Sequence, residues 1–160
     1  MIEAQGRWVI YGSFAIAFLL AVVPMPHWLV FARPEWLVMF LIYWVMALPH
    51  RVGVGTAFIL GLLLDGLRGE IMGQNALALV VVSYICLNVY QRMRNFSLWQ
   101  QAMLVFILVG LSAMIGRWVQ SFGSSHPPSL HFLISAFCSA IIWPWFMVFM
   151  RATRRRFRVT

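Results

Sequence analysis

Residues 98–119 read LWQQAMLVFILVGLSAMIGRWV, an uninterrupted run of 22 residues in which Arg117 is the one charged side chain. As an α-helix, a run of this length crosses the hydrocarbon core of a bilayer, which is about 30 Å thick and needs roughly 20 residues. Two other runs, residues 72–90 and 130–150, are comparably long and apolar. These three segments predict a protein whose fold is formed in lipid and not in water.

The composition of the whole chain excludes a soluble fold. Of its 160 residues, 62% are hydrophobic and 10% are charged, and the mean hydropathy is +0.85. A water-soluble domain of this length displays charged side chains over much of its surface, and this chain has too few of them. We therefore predict an all-α integral membrane protein with a single polytopic membrane domain, residues 1–160.

The apolar runs divide this domain into about six transmembrane helices. The segment from Pro49 to Gly55 contains a proline, an arginine and two glycines, which cannot continue one straight lipid-facing helix, so two short spans meet there. The first run ends in Pro24-Met25-Pro26-His27 and lacks a small-residue cleavage site, so it is interpreted as a retained span. The predicted spans are residues 8–25, 34–48, 52–67, 72–90, 98–119 and 130–150.

The arginines orient the predicted helices. All 12 basic residues are arginine, and six spans place nine of them on one side of the membrane and three on the other. Because arginine is retained at cytoplasmic helix ends, both termini are predicted to lie in the cytoplasm. The nine are Arg7, Arg51, Arg92, Arg94, Arg151, Arg154, Arg155, Arg156 and Arg158. The three are Arg33, Arg68 and Arg117.

Residues 48–73, LPHRVGVGTAFILGLLLDGLRGEIMG, hold an unusual set of residues for a membrane segment. The glycines permit close packing of helix backbones, and Gly69 and Gly73 have the GxxxG spacing. Asp65 needs a partner or water, because an isolated charge in a bilayer costs about 3 kcal/mol. Two alternatives are a salt bridge to Arg68, three residues on, and a contact site. The candidate structural or partner-contact residues are Pro49, His50, Arg51, Gly55, Gly61, Asp65, Gly66 and Gly73.

The polar residues form no recognisable catalytic or metal motif. The four histidines are scattered without HExxH spacing, and the absence of lysine excludes a P-loop, so no enzyme activity, cofactor or metal is predicted. The C-terminal arginines are candidate contacts for cytoplasmic lipid or a partner, although anchoring of the topology also explains them. Binding of nucleic acid is not predicted for so short an arm. These residues are Arg151, Arg154, Arg155, Arg156 and Arg158.

Several segments spread over nearly the whole chain carry a family resemblance: Gln5–Ile10, Arg33–Trp36, Tyr43-Trp44, residues 48–73, Leu98–Ala102 and Trp143–Trp145. They resemble the MreD family of rod shape-determining proteins of Gram-negative bacteria. The resemblance implies a non-enzymatic scaffold in the inner membrane that supports lateral peptidoglycan synthesis and rod cell shape. The implied partners are MreC, bound directly, with RodA, PBP2 and MreB in the same assembly, the elongasome.

The family is also similar in fold to the membrane-embedded substrate-binding subunits of ECF-type vitamin transporters, which have six helices. That likeness leaves a second function open, a small-molecule or lipid-binding subunit of a transporter. A small-molecule binder should have a cavity at membrane depth that is lined by polar side chains. The predicted spans contain few polar residues, so the sequence favours the scaffold function. The resemblance assigns no role to Glu70.

Overall fold

The computed structural model of the chain describes residues 6–24, 26–28, 34–69, 71–123 and 131–157. Within these ranges the regular structure is α-helical, which confirms the prediction of an all-helical chain with six helices. The last helix continues beyond the predicted residue 150, because residues 151–157 contain no proline or glycine to end it. The helices are α1 (Arg7–Val22), α2 (Trp36–Ala47), α3 (Val54–Arg68), α4 (Gln74–Asn95), α5 (Leu98–Ser121) and α6 (Phe132–Phe157).

Three helices are long and apolar enough to cross a membrane, namely α4, α5 and α6, with 22, 24 and 26 residues. The helices α1, α2 and α3 are shorter, with 16, 12 and 15 residues. At a rise of 1.5 Å per residue, α2 is about 18 Å long, well short of the hydrocarbon core of about 30 Å. Pro144 lies inside α6 without ending it, as proline does in helices whose neighbours satisfy the freed backbone groups.

The short helix α2 lies at the centre of the bundle. It packs against α1, α4, α5 and α6, and every residue from Leu37 to Ala47 is buried. Its sequence, WLVMFLIYWVMA, is apolar on all sides, as expected of a helix enclosed by other helices. Around it, α3 packs on α4, α4 on α5 and α5 on α6. Trp44 of α2 and Trp143 of α6 have no exposed surface and mark the core.

Hydrogen bonds establish the relative directions of the helices. Arg94, near the end of α4, contacts the backbone of Met46 and Ala47 at the end of α2, so these two helices run in the same direction. Asp65, near the end of α3, contacts Asn75 at the start of α4, so this pair is antiparallel. We refer to the two ends of the bundle as the Arg94 end and the Asp65 end.

The outward faces of the helices carry large apolar side chains. Five of these side chains, each more than half exposed, are Trp8, Leu63, Ile107, Phe137 and Phe149. An apolar surface of this extent promotes association in water, whereas in a bilayer it is solvated by acyl chains. The bundle therefore has the outer surface of a helical membrane protein.

Candidate functional site

The hairpin between α3 and α4 turns at two glycines. Gly69 follows α3 with φ of 65°, and Gly73 precedes α4 with φ of 96°. Both values lie in the left-handed region, which glycine adopts without steric cost. The interpretation of this pair as a GxxxG packing motif is wrong, because a Cβ at either position would meet no described atom within 4 Å. The two residues shape a turn; Glu70, between them, lies outside the described residues.

Asp65 connects the two helices of this hairpin through buried hydrogen bonds. Its side chain is 1% exposed, and it accepts hydrogen bonds from the backbone N–H of Gly73 at 2.9 Å and of Asn75 at 3.0 Å. It also accepts one from the side-chain amide of Asn75 at 2.8 Å. The first N–H groups of a helix lack partners in their own helix, and they carry the positive end of the helix dipole. Asp65 is therefore a cap for α4 that is supplied by α3.

Arg68 is not the partner of Asp65. Among the residues that the structure describes around this hairpin, no ion pair joins the two side chains, and the carboxylate is engaged by the donors of Gly73 and Asn75. The salt-bridge alternative is therefore wrong. Hydrogen bonds from the start of α4 compensate the cost of burying the charge, so the carboxylate needs no cation beside it.

Gly61 is a point of very close approach between α3 and α4. A Cβ at this position would overlap the backbone of Ala76 and lie 2.8 Å from the carbonyl carbon of Asn75. Two helix backbones approach so closely only where one residue has no side chain. On the same helix, Gly55 and Gly66 would place a Cβ with no described atom within 4 Å. Close packing thus explains Gly61 and does not explain the other two.

The candidate residues of the α2–α3 turn lie at the Arg94 end, away from Asp65. The turn occupies residues 48–53, where the backbone N–H of Arg51 donates to the carbonyl of Leu48 at 3.0 Å. Pro49 is half-buried and His50 is exposed. The Nη1 atom of Arg51 is enclosed and has no hydrogen-bond partner within the described ranges. The predicted candidates therefore form two separate groups, one at each end of the bundle.

Arg94 caps α2, a role that the sequence did not reveal. Its Nε donates to the carbonyl of Met46 at 2.9 Å, and its Nη2 donates to the carbonyl of Ala47 at 3.0 Å. The guanidinium also lies over the ring of Tyr90, 5.3 Å from the ring centre. The last carbonyls of a helix lack partners in their own helix, and leaving them unpaired in an apolar setting is costly. A cation from α4 thus allows α2 to end inside the bundle.

Two buried polar contacts connect other helices. The fully buried Gln101 of α5 donates from Nε2 to the carbonyl of Met93 at 2.8 Å, and its Oε1 accepts from Nε1 of Trp143 at 3.4 Å. Ser13 of α1 accepts from Nε1 of Trp44 at 2.8 Å. Side-chain hydrogen bonds of this kind join helices in membranes. In the sequence, these residues are visible only as a glutamine and a serine within apolar runs. The sequence does not indicate which residues they bond to.

The arginine-rich part of α6 leaves the bundle at the Arg94 end. Arg151, Arg155 and Arg156 are exposed, whereas Arg154 is half-buried. Cations in the last turn of a helix are favoured by the helix dipole, in keeping with an unbroken helix to Phe157. Arg158 lies outside the described residues.

The chemistry available to these residues is structural. In the described part of the chain, no three His, Cys, Asp or Glu side chains are grouped to hold a metal ion. A groove of about 530 Å³ on the outer face of α3 has an apolar lining: Ile59, Leu62, Leu63, Gly66, Leu67 and Met72. It offers no polar group to orient a small polar ligand. Fold and site together define a helical membrane protein whose described buried polar side chains chiefly serve helix capping and helix contacts.

Comparison with known proteins places the chain within this class. The family model for the rod shape-determining protein MreD matches residues 3–153. The rod shape-determining protein MreD of Haemophilus influenzae is 37% identical over 152 residues, which cover 94% of this chain and 93% of that protein. The chain belongs to the MreD family, and this membership supports a role in determining rod shape. No solved structure matches the chain.

Proposed function

We propose that this chain is a non-enzymatic scaffold subunit of the rod complex, the elongasome. In this role it binds MreC directly, works with RodA, PBP2 and MreB, and supports lateral peptidoglycan synthesis and rod cell shape. The observation that carries the proposal is the family match over residues 3–153, which takes in α1 to α5 and most of α6. A match of this extent concerns the whole bundle and not one local motif.

The distribution of polar and apolar groups supports a scaffold. The buried polar side chains of Asp65 and Gln101 bond within the bundle, and the outer faces of the helices are apolar. A surface of this kind acts through contacts with lipid and with other transmembrane helices, which associate in bilayers by close packing. We propose that residues 48–73 contribute to partner docking by positioning α3 on the outside of the bundle.

We also propose that the chain crosses the bacterial inner membrane six times, with both termini in the cytoplasm. The Arg94 end carries the arginines of the α2–α3 turn and of the ends of α4 and α6, and such an excess favours the cytoplasmic side. The length of α2 is compatible with this arrangement, because other helices enclose it and Arg94 caps its end.

Reporter fusions test this orientation. Fusions after Arg51, Arg94 and Arg158 are expected to report the cytoplasm, because arginine-rich segments are retained during insertion. Fusions near Glu35, Glu70 and Ser124 are expected to report the periplasm. Alkaline phosphatase, active in the periplasm, and green fluorescent protein, fluorescent in the cytoplasm, are placed at the same positions as mutual controls. A periplasmic carboxyl terminus would contradict the whole scheme, since the sides of successive loops alternate.

Co-purification tests the proposed partner. From cells that also produce MreC, the tagged full-length chain in mild detergent is expected to retain MreC in a near-stoichiometric amount. An unrelated polytopic inner-membrane protein with the same tag is the control for non-specific recovery. Recovery of a pair of ATPase subunits in place of MreC would support a transporter subunit, and recovery of neither would contradict a scaffold that binds MreC directly.

A fold similar to that of the ECF-type substrate-binding subunits stays a prediction, since no solved structure matches the chain. This similarity left a second function open, that of a small-molecule or lipid-binding transporter subunit. That function is not favoured. The groove on α3 has no polar side chain in its lining, whereas recognition of a vitamin needs a few well-placed polar groups. The scaffold therefore remains our proposal.

A further inference from the structure

The outer face of α3 carries two glycines that no contact within the described chain explains. Gly55 and Gly66 are exposed, and a Cβ at either position would meet no described atom within 4 Å. They are separated by about three helical turns of roughly 3.6 residues each, so they lie on the same face of α3. Glycine is a poorer helix former than alanine, so glycines on this face indicate a close contact with something outside the chain.

Gly66 also lines the apolar groove of about 530 Å³ on the outer face of α3. Ile59, Leu63 and Leu67, which line the same groove, are more than half exposed. Fluid acyl chains cover such a surface whether or not it contains glycine, whereas a helix backbone comes close only where a side chain is missing. Gly61 shows this requirement on the same helix, because the backbone of Ala76 in α4 occupies the place of its Cβ. The groove therefore suits a helix better than a lipid.

The helix α3 is also short for a helix that faces lipid. Its 15 residues extend about 22 Å, whereas the hydrocarbon core is about 30 Å thick. A bilayer thins around a short helix, and the cost of this thinning favours association with another helix. Because α3 packs on the described bundle mainly through α4, its groove remains open to a helix from another chain.

Arg51, in the turn that precedes α3, has no counter-charge among the described residues. Its side chain is half-buried, and its Nη1 atom has no hydrogen-bond partner there. Of the acids that the structure describes, Asp65 bonds to the start of α4 at the opposite end of α3, and Glu35 precedes α2 at that same end. A carboxylate on a helix beside α3 would complement the charge of Arg51.

A second copy of this chain does not supply that carboxylate. Two copies in the same membrane orientation that pack α3 against α3 are related by a twofold axis along the membrane normal. The two Arg51 side chains would then lie at one end of the interface, and the two Arg68 side chains at the other. Like charges placed together oppose association, so the occupant of the groove is a different chain.

We propose that the groove on α3 binds a single transmembrane helix of a partner protein, which carries small residues opposite Gly55 and Gly66 and a carboxylate near Arg51. This inference rests on the proposed scaffold function, in which the direct partner is MreC, and it names the surface and the chemistry of that contact. The partner helix packs lengthwise on α3, because the two glycines lie along one face. Close packing supplies the attraction, and the charge pair fixes the register of the partner helix.

Co-purification of full-length variants with MreC in mild detergent tests the groove. Gly66→Leu fills it and is expected to reduce the recovered MreC about tenfold or more, as for loss of a central contact. The protein itself should stay as stable as the wild type, because the new side chain enters free space. The matched control is Gly12→Leu, at an exposed glycine of α1 where a Cβ also meets no described atom within 4 Å. It is expected to change recovery less than about twofold.

Charge reversal tests the proposed carboxylate. Arg51→Glu is expected to reduce the recovered MreC about fivefold, because it sets two carboxylates against each other. Arg92→Glu makes the same change at an exposed arginine near the end of α4, at the same end of the bundle, and should change recovery less than about twofold. Equal losses from the two reversals would show that total charge governs binding and would overturn the pairing with Arg51.

Photo-crosslinking in intact membranes identifies the occupant without depending on the stability of Gly66→Leu. Benzoylphenylalanine in place of Leu63, in the groove, is expected to crosslink to MreC, and in place of the similarly exposed Ile107 of α5 it is not. Adducts with a second copy of this chain, or with lipid alone, would overturn the inference, as would full recovery of MreC by Gly66→Leu. These results leave the scaffold function standing when the wild type retains MreC. A wild type that retains no MreC would overturn the scaffold function and this inference together.

Discussion

Replacing Gly61 with alanine is expected to force α3 away from α4 and to cost about 3 kcal/mol or more of unfolding free energy. The new methyl group would overlap the backbone of Ala76, and backbone cannot move aside as a flexible side chain can. Because α3 packs on the bundle mainly through α4, their separation affects the whole hairpin. Unfolding of the purified protein in mixed micelles, followed by tryptophan fluorescence, measures the loss.

The matched control for this substitution is Gly66→Ala. It makes the same chemical change five residues later on α3, where an added Cβ meets no described atom within 4 Å. The replacement of glycine in a helix is expected to be neutral or to stabilise by up to about 1 kcal/mol. Equal effects of the two substitutions would show that helix propensity, and not contact with α4, governs this segment.

Replacing Asp65 with leucine is expected to be nearly as damaging, at about 3 kcal/mol, because it removes the acceptor for three hydrogen bonds at the start of α4. Asp65→Asn should cost less. An asparagine oxygen can still accept from Asn75, although its amide then faces the N–H of Gly73 and loses that bond. Hydrogen–deuterium exchange at residues 73 and 75, together with unfolding in micelles, should rank the three proteins.

Cell shape separates a structural carboxylate from a functional charge. If Asp65 acts through the hairpin, cells that carry Asp65→Asn should keep more of their rod shape than cells that carry Asp65→Leu, and MreC binding should fall in parallel with shape. Cells with Asp65→Asn that round up as completely as a deletion strain, while the protein still inserts and still binds MreC, would show that the charge itself is needed. That result would contradict the capping role as the full explanation.

The helices themselves could be predicted from sequence with good accuracy. The apolar runs at residues 72–90, 98–119 and 130–150 correspond to α4, α5 and α6, because lipid imposes a length and a hydropathy that are visible in composition alone. The interruption between Pro49 and Gly55 likewise separated α2 from α3, since proline and paired glycines disfavour a continuous helix.

The contacts between helices could not be predicted in the same way. Asp65 bonds to backbone N–H groups, and Arg94 bonds to carbonyls that lie 48 and 47 residues earlier in the chain. Every residue has such backbone groups, so the sequence does not show which of them remain unpaired. The glycines of α3 present the same difficulty, because Gly61 and Gly66 have similar apolar neighbours and only the packing of α4 distinguishes them.

The enclosed position of α2 has a consequence for synthesis of the chain. Of the four helices that surround it, α4, α5 and α6 leave the ribosome after α2 does. At about 18 Å, α2 is too short to cross the hydrocarbon core unaided, and Arg94, which caps its end, is also made later. Insertion and packing are therefore not separable stages for this helix. We therefore expect α2 to reach its final position only after α4, α5 and α6 have been made.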